Sequence, residues 1–439
     1  MKIGVISLGC AKNLVNTEQM MFLLSEAGYV VSGETSNSNI IILNTCGFID
    51  SAKSEAIEHI IELVELKKNR ETDKIIVAGC LSQRYKEEVL KEFPEIDAIV
   101  GTGAFEDIVD IVKNIYSKEE EKKIEFYGDI NAPISETKRI ITTSPSWAYL
   151  KIAEGCDNNC AYCVIPSIRG RFRSRPLEKI VNEARDLAKR GVKELIIVAQ
   201  DVTMYGVDIY KSRMLTKLLG ELCEIEELQW IRLHYLYPNE IDDNLIDFIS
   251  RHDKILKYLD IPIQHINDEI LRNMNRRGTA KEIKALIEKL REKIPDVVLR
   301  TSIITGLPGE SEKEFHQLCD FLVEAKIERA GIFPYSPEEG SKAAQMDRPD
   351  TDVAINRAEM LRELQAHIMD THDLSRIGSV VPVLIEGRDE DGVYYGRSFA
   401  ESPDVDGYIF VSGSSIRVHE FSMVCITEVH DGQVRGITV

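Results

Sequence analysis

No run of eighteen apolar residues occurs anywhere in this 439-residue chain, so no membrane-spanning helix is expected. Basic residues are in the minority: Lys+Arg is 54 against 73 Asp+Glu, a formal charge of −19. That balance argues against broad, nonspecific binding of a phosphate backbone, although a local basic groove is compatible with it. The nine cysteines are odd in number and gathered in motifs. A spread disulfide framework is therefore excluded, and a reducing compartment with metal or redox chemistry is favoured. Lys2 followed by the short apolar run Ile3–Leu8 lacks the length of a signal-peptide core and reads as the first strand of a cytoplasmic protein.

What is present is ordinary globular material, 44% hydrophobic and 29% charged, enough for about three domains. In the first third, apolar runs at Ile3–Leu8, Ile40–Asn44, Lys74–Ala78 and Ala98–Val100 alternate with amphipathic stretches at Leu14–Ala27, Ile49–Leu66 and Gln83–Phe93. This βαβ rhythm predicts a parallel sheet covered by helices, with binding groups beyond the carboxyl ends of its strands. The charged run from Lys118 and the Pro- and Ser-containing stretch behind it read as a linker, residues 118–141. From 142 to 373 the alternation resumes, with strands expected at Tyr149–Ala153, Leu195–Ala199, Trp230–Leu233, Leu256–Ile261, Val297–Ile304 and Arg329–Phe333. That number of β/α units predicts a partial or complete barrel. Residues 374–439 change to short strands separated by Gly and Asp turns, a small all-β barrel with five Arg, no Lys and ten Asp/Glu.

The strongest motif is Cys156-Asp157-Asn158-Asn159-Cys160-Ala161-Tyr162-Cys163. Three thiolates at C-x3-C-x2-C can wrap one loop around a cuboidal iron–sulfur cluster, leaving one iron open; structural zinc wants a fourth ligand, and none is adjacent. A second set is dispersed in sequence: Cys10, Cys46 and Cys80 each follow directly on a predicted strand of the first domain. In a parallel sheet those strand ends share one edge, so residues 36 and 34 positions apart converge, and glycines 9, 47 and 79 allow close backbone approach. Cys223, Cys319 and Cys425 lie alone in apolar stretches and read as core thiols. Arg169, Arg171, Arg173 and Arg175 alternate at period two, either a basic stripe beside the site or ion pairs within an acidic protein. His234 and His265, at strand ends, read as hydrogen-bonded filler.

The Cys156 loop, placed after the first strand of its domain and with Tyr162 in the aromatic place, resembles the radical S-adenosylmethionine superfamily. The two thiol sets together, followed by the small barrel, resemble the methylthiotransferase family of radical enzymes along the whole chain. The matching motifs are Leu8-Gly9-Cys10, Asn44-Thr45-Cys46, Ala78-Gly79-Cys80-Leu81 and Glu154-Gly155-Cys156 through Ile165-Pro166. Cys10–Val15, Gly79–Tyr85 and Tyr258–His265 are similar to the branch that modifies a ribosomal protein, with Gln264-His265-Ile266 where the tRNA branch has Gln-Ser-Gly. Asn16 and Leu307 depart from that branch's usual Asp and Phe.

The resemblance implies an N-terminal parallel α/β domain (1–117), a central radical SAM (β/α) barrel (142–373) and a TRAM barrel (374–439). It implies two [4Fe-4S] clusters: one on Cys156, Cys160 and Cys163 that takes S-adenosylmethionine (SAM), and one on Cys10, Cys46 and Cys80 that holds the sulfur to be transferred. The implied reaction is methylthiolation of the β-carbon of an aspartate in the twelfth small-subunit ribosomal protein. A reductant such as a flavodoxin or ferredoxin and a sulfur donor are the other implied partners. Tyr162, Gln200, Asp201, Gly306, Pro308 and Gly309 are candidate SAM contacts, with loop capping the competing reading for the polar pair and a plain Gly-Pro turn for residues 306–309. The rival functions are the same chemistry on a tRNA adenosine and a non-catalytic iron–sulfur electron carrier. The last barrel's net charge of −5 favours a basic protein over tRNA as substrate.

Overall fold

The computed structural model describes residues 1–117, 123–430 and 432–439. The N-terminal strands are β1 (Lys2–Ser7), β2 (Val30–Ser32), β3 (Ile40–Thr45), β4 (Lys74–Gly79), β5 (Ala98–Gly103) and β6 (Ile124–Gly128). They form one parallel sheet in the order β2-β1-β3-β4-β5-β6. The central strand β3 is buried on both faces, as its unbroken Ile-Ile-Ile-Leu run requires, and helices cover the sheet on either side. The helix expected at Gln83–Phe93 is two short helices, Cys80–Tyr85 and Glu87–Glu92, broken at Lys86, whose φ is +47°.

The linker expectation needs a correction. The core of its charged run, residues 118–122, lies outside the described residues, but Ile124–Gly128 continues the first domain as β6. Its main chain satisfies the open edge of β5 while most of its side chains stay in solvent, so composition carried no trace of it. The rest is a strap pinned between domains. Arg139, 6% exposed, donates to Glu18 of the first domain at 2.5 Å and to Glu183 of the second at 2.7 Å.

The central domain carries β7 (Trp147–Lys151), the short antiparallel pair β8 (Ala153–Glu154) and β9 (Arg173–Ser174), then β10 (Glu194–Val198), β11 (Trp230–Leu233), β12 (Ile255–Asp260), β13 (Val298–Thr305) and β14 (Arg329–Pro334). Six of these pair in parallel in the order β14-β13-β12-β11-β10-β7, and β7 does not meet β14, so the barrel is partial. One set of alternating residues, including Ala148, Leu150, Leu195, Ile197 and Leu259, packs under the helices as the main core. The other set faces inward and is mixed in character: Trp147, Tyr149, Ile196 and Val198 meet Val15, while Lys151, Glu194 and Arg232 are buried charges.

The closing strands, β15 (Val380–Arg388), β16 (Tyr394–Arg397), β17 (Ile409–Ser412), β18 (Phe421–His430) and β19 (Gln433–Thr438), form a closed five-stranded barrel. The segment between β16 and β17 lies against the inner face of the central sheet. Ser402 bonds His234 at 2.8 Å, Asp404 accepts from the Tyr149 hydroxyl at 2.9 Å, and Asp406 from Tyr258 at 2.7 Å. Behind it, fully buried Glu194 accepts from Arg232 and Arg397, each at 2.7 Å. Glu386 and Glu401 face Arg397 and Arg376. With Glu420 paired to Lys193, five of the barrel's ten acids are therefore engaged by side chains of the chain, and its −5 charge is a poorer guide to a partner than composition implied. No helix of the described residues is long and apolar enough to cross a membrane.

Glu194→Ala leaves two guanidinium groups buried without their shared carboxylate. The expected cost is about 3–5 kcal/mol in chemical denaturation, with easier proteolytic release of the closing barrel. A second test uses Glu401, which burial would push up but Arg376 and Arg329 bring down to about 2. Its stabilising contribution is full above the ordinary carboxylate range and is lost as pH falls toward 2. Glu401→Gln should flatten the acid limb of a stability-versus-pH curve.

Candidate active site

Cys10, Cys46 and Cys80 leave three adjacent strands, β1, β3 and β4, on one edge of the sheet. Cys10 is the N-cap of helix Ala11–Glu26 and Cys80 opens helix Cys80–Tyr85, so two of the thiols lie at helix N-termini. The approach is close enough to demand glycine. Gly9 has φ +86°, and a Cβ there would lie 2.6 Å from Cys46 Cβ and 3.2 Å from its Sγ. The edge is held by Asn13, whose Nδ2 donates to the carbonyl of Leu8 at 2.7 Å and to those of Asn44 and Thr45 at 3.3 Å. Burial pushes the Cys46 thiol up to about 12, with Cys80 and Cys10 adding to it. At Cys10 burial acts in the same direction, but Lys12 and Arg169 outweigh it and bring the thiol below its ordinary value.

The second thiol loop follows β8. Gly155, at φ +81°, crosses so close to Arg171 that a Cβ would sit 2.1 Å from its carbonyl oxygen. The Cys156 N–H donates to the Gly170 carbonyl at 3.2 Å, the Cys163 N–H to Cys160 at 3.0 Å, and the Ile165 N–H to Cys163 Sγ at 3.4 Å. From the other side, the Ala161 N–H donates to Met274 at 2.9 Å, and Arg276, stacked on Tyr237 at 4.5 Å, reaches Cys160 Sγ at 4.0 Å. Burial raises Cys156 to about 11 and Cys163 to about 12. Iron binding would remove those protons, so occupancy and thiolate formation are coupled.

Of the six candidate SAM contacts, Tyr162 belongs to this loop, Asp201 bonds it and Gln200 bonds the residue just before it. Tyr162 shares an apolar cluster with Leu307, which carries the Gly306–Gly309 turn to the loop. Gly306 itself faces helix Thr351–Ser375: a Cβ would lie 2.3 Å from that of Ala354. Pro308 stands between Leu307 and Gly309 in the turn, and a Cβ on Gly309 would lie 3.5 Å from Asn273. Asp201 caps the turn at Val202–Met204 and accepts from Asn158 of the loop at 2.8 Å, which matches the capping alternative. Gln200 donates to Glu154 at 2.7 Å, and its buried Oε1 has no partner.

The four alternating arginines do not form a stripe, because a helix, Ile165–Arg169, and a left-handed Gly170 interrupt the extended backbone that a stripe requires. Arg175 pairs with Glu136 and Glu183, each at 2.5–2.7 Å, while Arg169 turns toward the first domain. Arg169 donates to Cys80 Sγ at 3.2 Å, Asn13 at 2.9 Å, Asn16 at 2.8 Å and Glu154 at 3.3 Å. Lys12 reaches the other way, its ammonium 3.5 Å from the centre of the Tyr235 ring. Pattern reading singled out neither Lys12 nor Glu154 nor Arg276 as a site group, since each acts across a contact that no spacing encodes.

The donor sets suit iron–sulfur clusters. Each site offers three thiols, and among the buried cations near the first set Lys151 and Arg169 share the single carboxylate of Glu154 while Lys12 lies over the Tyr235 ring. Three thiolates around a cluster would supply the missing negative charge. Among the described residues no three His, Cys, Asp or Glu side chains stand at the spacing of one metal ion. The unpartnered Gln200 Oε1 is a ready acceptor for a ligand amine.

A half-barrel with a three-thiol loop after its first strand defines a radical SAM enzyme. The Radical SAM superfamily model matches residues 150–322, flanked by Uncharacterized protein family UPF0004 at 2–101 and a TRAM domain at 377–439. The fold resembles that of TsrM from Kitasatospora setae, a radical S-adenosylmethionine methyltransferase with cobalamin and a [4Fe-4S] cluster bound (TM-score 0.57, 14% identity, 76% of each chain). The chain is also 45% identical to the ribosomal protein uS12 methylthiotransferase RimO of Acetivibrio thermocellus, across 99% of this chain and 98% of that one. It is 47% identical to the RimO of Caldanaerobacter subterraneus subsp. tengcongensis, across 99% of each. The chain belongs to the RimO methylthiotransferase family. That membership implies SAM and [4Fe-4S] chemistry.

Gly9→Ala places a methyl group against Cys46 on a backbone that disfavours it. The expected result is loss of up to about half the bound iron on reconstitution, measured by iron and sulfide analysis.

Proposed function

We propose that this protein methylthiolates the β-carbon of an aspartate in ribosomal protein uS12, in the cytoplasm. The observation that carries this reading is the placement of two three-thiol sets on facing domains, bridged by two consecutive residues. Arg169 touches Cys80, and the Gly170 carbonyl accepts from Cys156. Full-length similarity to RimO proteins supports uS12 as the target, and the barrel's charge adds little to it.

Cys156, Cys160 and Cys163 would hold the SAM-binding cluster, and Cys10, Cys46 and Cys80 a second. When bound, these clusters and SAM supply the one-electron chemistry that exchanges an unactivated C–H for C–SCH3, beyond the reach of acid–base groups. The chain's own residues do the positioning. Asn158 and Asp201 brace the loop from one side and the Ala161–Met274 bond from the other. Gln200, fixed by Glu154, presents its free oxygen for the SAM amine, and Tyr162 with Leu307 packs an apolar wall beside the loop. The half-barrel's inner face is occluded by Val15 of the first domain and by the Ser402–Asp406 segment. Water is thereby kept from much of the strand surface below the site. Residues 1–117, 142–373 and 374–439 are the proposed domains, with 123–128 added to the first. An electron donor of the flavodoxin or ferredoxin type and a separate sulfur donor complete the reaction.

Reconstituted protein incubated with SAM, sulfide and a reductant should add about 46 Da, SCH3 less H, to uS12. Addition to unmodified tRNA alone would transfer the assignment to the tRNA reaction, and about four irons per chain instead of about eight would remove one cluster. Cys46→Ala should retain SAM cleavage and abolish sulfur insertion; loss of both would overturn the division of labour between the domains.

A further inference from the structure

Arg169 is 3% exposed and comes from the central domain, yet its shorter bonds all go to the N-terminal one. Glu154, its partner at 3.3 Å within its own domain, is already paired more closely with Lys151 at 2.9 Å. Asn13 receives Arg169 at 2.9 Å and is itself fixed by its bonds to the carbonyls that end β1 and β3. The guanidinium is thus steered by the strand edge that carries the thiols, and Nη2 ends 3.2 Å from Cys80 Sγ. Its backbone has no room to withdraw. Gly170 follows at φ +74°, a Cβ there would lie 2.3 Å from the Ile130 carbonyl oxygen, and its own carbonyl is held by Cys156.

We propose that Arg169 is a positioning residue for the cluster on Cys10, Cys46 and Cys80. Its hydrogen bond to the Cys80 sulfur raises that cluster's reduction potential and ties it to the SAM-binding loop. This rests on the two-cluster reading above. Reduction adds negative charge to a group already ligated by thiolates. A fixed cation donating to one sulfur stabilises the reduced form more than the oxidised one, and burial strengthens the effect. A guanidinium suits the task because its rigid fork reaches Cys80, Asn13, Asn16 and Glu154 at once, which an ammonium cannot.

The test uses the full chain with Cys156, Cys160 and Cys163 changed to Ala, so that one cluster remains, in an EPR-monitored redox titration. Arg169→Met should keep its iron and shift the midpoint to more negative potential, and Arg169→Lys should shift it less. An unmoved midpoint in Arg169→Met overturns the proposal, as does lowered iron content with an unmoved midpoint in the cluster that remains. If Arg169→Met does not fold, Arg169→Lys decides: a negative shift supports the proposal and none overturns it. A parent protein that binds no cluster would overturn the two-cluster reading itself, whereas a parent signal that no variant moves overturns only the assignment to Arg169.

Discussion

A parallel sheet brings all its carboxyl strand ends to one edge, and the architecture of this protein depends on that constraint. The thiols of Cys10, Cys46 and Cys80 meet because β1, β3 and β4 are neighbours running in the same direction. The Gly306–Gly309 turn likewise follows β13, a parallel strand of the second sheet, and the Cys156 loop follows the short strand β8 just beyond the end of β7. Two sheets of the same kind, set so that these edges face each other, place the two thiol sets on either side of the consecutive residues Arg169 and Gly170. The close approaches of Gly9 to Cys46 and of Gly155 to Arg171 are the local requirement inside each domain, since neither backbone position admits a side chain.

The polar groups between the sheets serve the same arrangement. Burying Lys151, Arg169 and Glu154 is costly unless they are paired, and here the pairs run from the inner face of the half-barrel to the first domain's thiol edge. A second buried network, Arg232–Glu194–Arg397, ties the closing barrel to the other part of that face. The half-barrel is therefore occupied from two sides by its own chain. Half of the ten acids that make the closing barrel look like a platform for a basic partner are bonded to side chains of the same chain. Composition counts charges, but it does not show which way they face.

Much of this was legible in the residues. Strand positions came from apolar runs, the Cys156 loop from its spacing, and the convergence of Cys10, Cys46 and Cys80 from one rule about parallel sheets. The strand β6 was hidden because an edge strand is stabilised through its main chain, so its side chains need no pattern. The arginine alternation from 169 to 175 misled for a related reason: period two implies one face only if the backbone is extended, and a helix and a left-handed glycine intervene.

Residue order carries six thiols in two sets of three, the βα order that places them at strand ends, and the three-part organisation of the chain. These are local properties, written in spacing and periodicity. The partners of those groups come from the way the domains pack. Domain packing turned Arg169 toward Cys80, set Lys12 over Tyr235, left Gln200 with a free oxygen, and laid Asp404 and Asp406 of the last barrel against the central sheet. Such contacts join residues up to hundreds of positions apart and depend on how whole domains pack, which no local pattern specifies.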